Sequence, residues 1–426
     1  MPVPAPSIRP TGERPGRHVL WLGFPSYGHI KASLGMVEEL VRRGHRVTYV
    51  IADRFAARVE PTGARVVPYA SRFPESISAT ETATTMLLAF LEESFAPLEA
   101  ALRAAAEDPP DLVVHDALAS DTAAALSRRH QVATVRTYAG FGSNEHVPLN
   151  GTEANPAHQP VDPHDPRLRD LSARVTARVR AAGVADLLGG RLASGDDAVL
   201  NISFVVRDFQ VGGETFGDDH LFAGPCLRPV DFEGAWSPPP GAPPVLLVSL
   251  GTTVNRRPDF FRSCATAFAG TPWHVVMTLG GGVDPRDLGP LPPNVETHPW
   301  LPHLPVLRHA TAFVCQGGSG SLMEAFHQGV PAVVVPHQQD QLALARQVVD
   351  LGLGRSIGPE DLDGRTLRSA VEAVAADGGV RSRAAAARRA PAPPRERAAP
   401  LPPVPPAPAG CGPPHDRPGP DRGCSR

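Results

Sequence analysis

Two stretches of this chain open in the same way, each with a short unbroken apolar run that enters a turn and then a helix-like pattern. The first is Arg17–Phe24 (RHVLWLGF), and the second is Val245–Leu250 (VLLVSL). A strand with no polar alternation is buried on both faces, which is how strands of parallel sheets read. After the first run, Ile30, Leu34, Val37, Leu40 and Val41 recur at helical spacing, and Gly44 stands where a C-terminal cap belongs. Arg46–Ile51 (RVTYVI) is the next β-rich run, so the segment is a strand–helix–strand unit. Further strands are expected at Arg65–Pro68, Asp111–His115 and Ala133–Val135.

Gly212–Gly241 is read as irregular and runs into the linker Ser237–Pro244 (SPPPGAPP), after which the pattern restarts. Strands are then expected at His274–Thr278, Val295–Thr297, Thr311–Val314 and Ala332–Val335. The chain therefore divides into a flexible segment 1–16, an α/β half over 17–236, the linker 237–244 and a second α/β half over 245–380. From about Arg381 to residue 426 the sequence is rich in Ala, Arg and Pro, with almost no bulky apolar residues. Such a segment buries too little surface to offset its ordering entropy and reads as disordered or polyproline-like.

Composition excludes several function classes. A net charge of -3 gives no electrostatic footprint for nucleic acid. No apolar run approaches the length that spans a bilayer, and residues 1–17 contain no apolar segment that would serve as a leader or anchor, so a cytoplasmic protein is expected. The five cysteines form no C-x-x-C pair, so neither zinc nor a disulfide framework is suggested. Lys31 is the only lysine in an arginine-rich chain, a bias of GC-rich codons that says nothing about the fold.

The chemistry concentrates between Trp300 and Gln341. A strand runs into Gln316-Gly317-Gly318-Ser319-Gly320-Ser321, which opens a helix bearing Leu322, Met323, Ala325 and Phe326. Glycines let backbone amides approach a ligand, and a helix N-terminus presents unpaired N–H groups to an anion, an arrangement suited to a diphosphate. Taken alone the glycine turn serves equally as a packing device. Trp300 could stack on a nucleobase, Glu324 could accept hydrogen bonds from both ribose hydroxyls, and Asp340 with Gln341 could bind sugar hydroxyls. Each has a bland reading as core, solvated helix residue or helix-terminal charge, but together they form one ordered stretch.

In the first half, His29 lies in the loop after the first strand, at the end where α/β sheets place ligands. Asp116 ends another strand on the same sheet edge and could hold the imidazole's tautomer, whereas strand alternation turns the neighbouring His115 away. Ser249 and Thr252 follow the first strand of the second half. In the region Glu75–Ala106, Met86, Leu87 and Phe90 could line an apolar pocket, with ordinary core the competing reading.

The stretch from Trp300 to Gln341 resembles the donor-binding signature of family 1 glycosyltransferases. Over residues 17 to about 375 the chain looks like actinobacterial macrolide and polyketide glycosyltransferases, through Gly28-His29, RRGHRVTYVI, Asp111–Asp116, Val248–Thr252 and Pro293–Glu296. The resemblance implies the GT-B fold, two Rossmann-like α/β domains facing each other across a cleft. It also implies inverting transfer without metal or cofactor from a nucleotide sugar (UDP- or dTDP-linked) to a hydroxyl of a hydrophobic small molecule. In that family the residue matching His29 is the base, the residue matching Asp116 its partner, and the turn at Ser249–Thr252 contacts the diphosphate. No DxD-like acidic pair stands beside the donor signature.

Three departures qualify it. Gln316 replaces a usual His at the diphosphate, and His303 replaces a usual Gln near the nucleoside, so donor binding is expected to be weaker or altered. The family's C-terminal amphipathic helix is replaced by the Pro-rich tail, which resembles GC-rich DNA read out of frame near residues 381–390. Alternatives are a GT-B nucleotide-sugar epimerase, or a catalytically weak accessory protein of the same fold.

Overall fold

A computed structural model describes residues 16–75, 83–148, 162, 164–188, 198–234, 236–241, 243–252, 255–337 and 339–387. Of the segment expected to be flexible, 1–16, residues 1–15 lie outside the described residues, as does the tail beyond 387.

The first half builds a seven-stranded sheet from β1 (His18–Leu22), β2 (Arg46–Ala52), β3 (Arg65–Tyr69), β4 (Leu112–Asp116), β5 (Thr134–Tyr138), β6 (Leu200–Ser203) and β7 (His220–Phe222). The second builds a six-stranded sheet from β8 (Val245–Ser249), β9 (His274–Thr278), β10 (Val295–His298), β11 (Ala310–Cys315), β12 (Ala332–Val334) and β13 (Gly354–Ser356). The strand orders are β3-β2-β1-β4-β5-β6-β7 and β10-β9-β8-β11-β12-β13. Every pairing is parallel, with Leu22 beside His115 in one sheet and Ser249 beside Cys315 in the other. Both orders reverse at the first strand, so each half has a switch-point crevice, between β1 and β4 and between β8 and β11.

The unbroken apolar runs have a direct cause. Along β1, Val19 and Trp21 join the core on one face, while Leu20 and Leu22 join the core on the other. Along β8, Leu246 and Val248 face one core, and Val245 and Leu247 the opposite one. Helix α1 (Tyr27–Arg42) follows β1 and buries Ile30, Leu34 and Val37, the spacing read from sequence.

Three strands were not expected from sequence. β6 carries Asn201, β13 consists of Gly-Arg-Ser, and β7 is a short strand inside the stretch read as irregular. A second correction concerns the chain after Arg381, expected to lose order there. Gly378–Ala387 is a helix, with Val380 at 8% and Ala384 at 0% exposure packed into the cores of the second half. The first proline of the tail is Pro391, so this alanine-rich run meets no helix breaker.

The halves also share core. Val205 and Phe209, from the first half, lie in a cluster with Phe313, Leu322 and Phe326 of the second, and the Phe209 and Phe326 rings are 5.6 Å apart. Among the described residues no helix is long and apolar enough to cross a membrane.

Candidate active site

The switch-point crevice of the first half holds the histidine and the carboxylate that the sequence singled out. His29 sits in the first turn of α1, its N–H donating to Ser26 O at 3.1 Å, while Asp116 closes β4. The His29 Nδ1 lies 2.7 Å from Asp116 Oδ2. The other carboxylate oxygen accepts the Leu118 N–H at 2.9 Å, which locks the side chain as the cap of the following turn. An ionised carboxylate only accepts, so Nδ1 carries the proton and Nε2 is the basic nitrogen of the ring. Asp116 is buried and His29 half-buried, so the pair is held by protein on one side while the ring keeps a face toward solvent. His115 is fully buried, its Nδ1 2.8 Å from Asp116 O, turned away as strand alternation requires.

An aromatic wall stands beside the imidazole. The Phe24 ring lies 5.2 Å from that of His29, 4.7 Å from Phe73 and 5.8 Å from Phe90, and Phe73 and Phe90 are 5.4 Å apart. Of the three residues expected to line an apolar pocket, Phe90 joins this wall; Met86 and Leu87 are half-buried on the same Ala83–Ser94 helix. Sequence reading passed over Phe24 and Phe73. Phe24 was visible as the last residue of the first apolar run, whereas nothing local marks Phe73. Arg54 was missed as well: its Nη2 donates to Phe73 O at 2.9 Å and to Pro25 O at 3.4 Å, tying the wall to the loop that leads to His29.

The second half places its expected residues around the β8/β11 crevice. Gln316 and Gly317 follow β11, and Gly317 has φ +97° with Val334 so close that a Cβ would fall 2.8 Å from its Cγ1. Only glycine makes that turn. The helix Ser319–Gln328 then begins, and a Cβ added at Gly318 or Gly320 would meet no atom within 4 Å. An anion can therefore approach the helix-opening amides of this segment, including Ser321. Gln316 is 6% exposed and its Oε1 meets no hydrogen-bond partner among the described residues, while its Nε2 points toward Gly251. Ser249 is buried and accepts the Gly251 N–H at 3.1 Å, with Thr252 half-buried in the same turn. Asn255, another missed residue, ties this turn to the next by donating to Gly251 O at 3.1 Å and Gly280 O at 2.8 Å. Gln341 is buried and its Oε1 accepts the His337 N–H at 2.8 Å. Asp340 lies in the helix Gln339–Asp350, and its side chain is outside the described residues.

Of the other residues expected at the donor, Glu324, Trp300 and Ser319 touch the first half directly, and His303 meets Glu324. Glu324 pairs with the Lys31 ammonium from α1, and its Oε2 lies 3.6 Å from His303 Nδ1. Burial pushes the Glu324 carboxyl up, but the Lys31 charge and His303 outweigh it and hold the group down at about 2. His303 Nε2 is in turn 3.2 Å from Thr278 Oγ1. Trp300, 41% exposed, meets the edge of Tyr27 at 4.9 Å and the Arg58 guanidinium at 5.2 Å. The Ser319 hydroxyl donates to Ala139 O at 2.9 Å. Lys31, Tyr27, Arg58 and Ala139 carried no sequence signal for this role. The uniqueness of the lysine was the one visible mark. Helix α1 thus carries both His29, which meets Asp116 of its own half, and Lys31, which meets Glu324 of the other.

The family description "Erythromycin biosynthesis protein CIII-like, C-terminal domain" matches residues 271–400. Demethyllactenocin mycarosyltransferase of Streptomyces fradiae is 34% identical over 386 residues, covering 85% of this chain and 80% of that protein. Oleandomycin glycosyltransferase of Streptomyces antibioticus is 34% identical, with 84% of each chain covered. The crystal structure of CalG4, the calicheamicin glycosyltransferase, superposes with a TM-score of 0.74 at 40% identity, covering 88% of this chain and 94% of that one.

Proposed function

This chain belongs to the natural-product glycosyltransferases with the GT-B fold, and on that premise we propose an inverting transfer of a sugar from a UDP- or dTDP-sugar. The acceptor is a hydroxyl of a hydrophobic natural product of macrolide or polyketide type. The relatives that act on demethyllactenocin and oleandomycin support the acceptor class. The observation that carries the mechanism is the 2.7 Å contact of His29 Nδ1 with Asp116, set beside the wall of Phe24, Phe73 and Phe90.

The acceptor's apolar body lies along that wall, with its hydroxyl at His29 Nε2. The ring takes the hydroxyl proton as the oxygen attacks the anomeric carbon and the bond from that carbon to the diphosphate oxygen breaks. Asp116 keeps the tautomer and steadies the imidazolium; the proton later leaves to water. An α-linked donor gives a β-glycoside. Trp300 stacks on the base, Glu324 holds the ribose, and Asp340 and Gln341 hold the transferred sugar. Ser249, Thr252, Gln316, Gly317, Gly318, Ser319, Gly320 and Ser321 surround the diphosphate, whose growing charge is met by helix-terminal amides and hydroxyls in place of a metal. His303 orients Glu324.

The test is a screen of UDP- and dTDP-sugars against macrolides and polyphenols, read by mass. A glycosylated acceptor is the expected result. An epimerised donor formed without acceptor, or no product with any pair, contradicts the reading.

A further inference from the structure

The two oxygens of the Glu324 carboxylate have different neighbours. Oε1 receives the ammonium of Lys31, while Oε2 faces His303 Nδ1 at 3.6 Å. The Glu324 side chain is 4% exposed and that of Lys31 25%, so the ion pair is held away from bulk solvent. Lys31 arrives from the opposite half, two residues after His29, and Tyr27 on the same helix is packed against Trp300. A ribose presents two adjacent hydroxyls and is matched by a carboxylate with both oxygens available. A 2′-deoxyribose presents one.

We infer that Lys31 is a specificity-determining residue for the donor. By engaging Oε1 it leaves Oε2, 3.6 Å from His303 Nδ1, as the one oxygen for the nucleoside sugar, so the site favours 2′-deoxyribonucleoside diphosphates over their ribo counterparts. The inference rests on the reading that Glu324 holds the donor's pentose. With a ribo donor, the 2′-hydroxyl must either displace the ammonium from a buried carboxylate or lie next to it without an acceptor, and both are unfavourable. With a 2′-deoxy donor, the 3′-hydroxyl takes Oε2 and the ion pair stays.

Titration calorimetry of the full chain with UDP, dUDP and dTDP tests this, because UDP and dUDP differ only in the 2′-hydroxyl. The wild-type protein is expected to bind dUDP about tenfold more tightly than UDP. Lys31→Ala, and Lys31→Met, which keeps most of the stem, should bring the two within about twofold, chiefly by strengthening UDP. Equal affinities in the wild type overturn the inference without need of a variant. So does a wild-type preference that persists in both variants. Glu324→Ala separates this from the underlying reading: it should weaken dUDP and dTDP and erase their advantage over UDP, and unchanged affinity for all three would show that the pentose is held elsewhere.

Discussion

The two crevices are built on the same sheet order yet are completed differently. In the first half, His29 opens α1 after β1 and Asp116 closes β4, so both members of the pair come from the same half. In the second half, Trp300, Ser319 and Glu324 each touch the first half, through Tyr27 and Arg58, Ala139, and Lys31. The pair proposed to handle the proton is thus assembled within one half, whereas the surface proposed for the donor is finished by the other. A shared apolar seam at Phe209 and Phe326 keeps the two in register. Acceptor activation and donor recognition should therefore respond separately to substitution.

The largest effect is expected from Asp116→Asn, which keeps the shape but removes the charge that fixes the His29 tautomer. Transfer should fall about 10³-fold while nucleoside diphosphate affinity holds. A parallel loss of affinity would break the division between the halves. Next, Glu324→Ala should weaken the nucleoside diphosphate about 30-fold, the scale of hydrogen bonds to a charged group, with little change in acceptor KM. Phe90→Ala should raise the acceptor KM about tenfold through lost apolar contact and leave donor KM alone. The smallest effect is on stability. The Glu324 carboxyl ordinarily titrates at 4.5 and is held at about 2, so its pairing stabilises the fold fully above about 4.5 and is lost as the pH falls toward 2. The Tm gap between wild type and Lys31→Ala, about 3 °C at neutral pH, should close over that window in thermal unfolding scans.

The same contrast explains what could be read from the sequence. Strands buried on both faces, such as β1 and β8, announce themselves as apolar runs, and the residues at their carboxyl ends follow from topology. His29 and Asp116 were legible for that reason, as was Gly317 in its glycine turn. β6, β7 and β13 were not: β7 and β13 are three-residue edge strands, and β6, between β5 and β7, carries Asn201 and Ser203, so all three are held by neighbours and not by their own pattern. Lys31 is the clearest case: its partner stands 293 residues away, and no local periodicity encodes that pairing. Phe73 and Arg54 are similar, joined to the His29 loop only once the sheet has formed.

The most direct test is to replace His29 by Ala and measure, on one preparation, glycosyl transfer by mass spectrometry and nucleoside diphosphate binding by calorimetry. Transfer should fall to background while the diphosphate binds as it does to the wild type. Turnover at the wild-type rate in that variant would contradict the account.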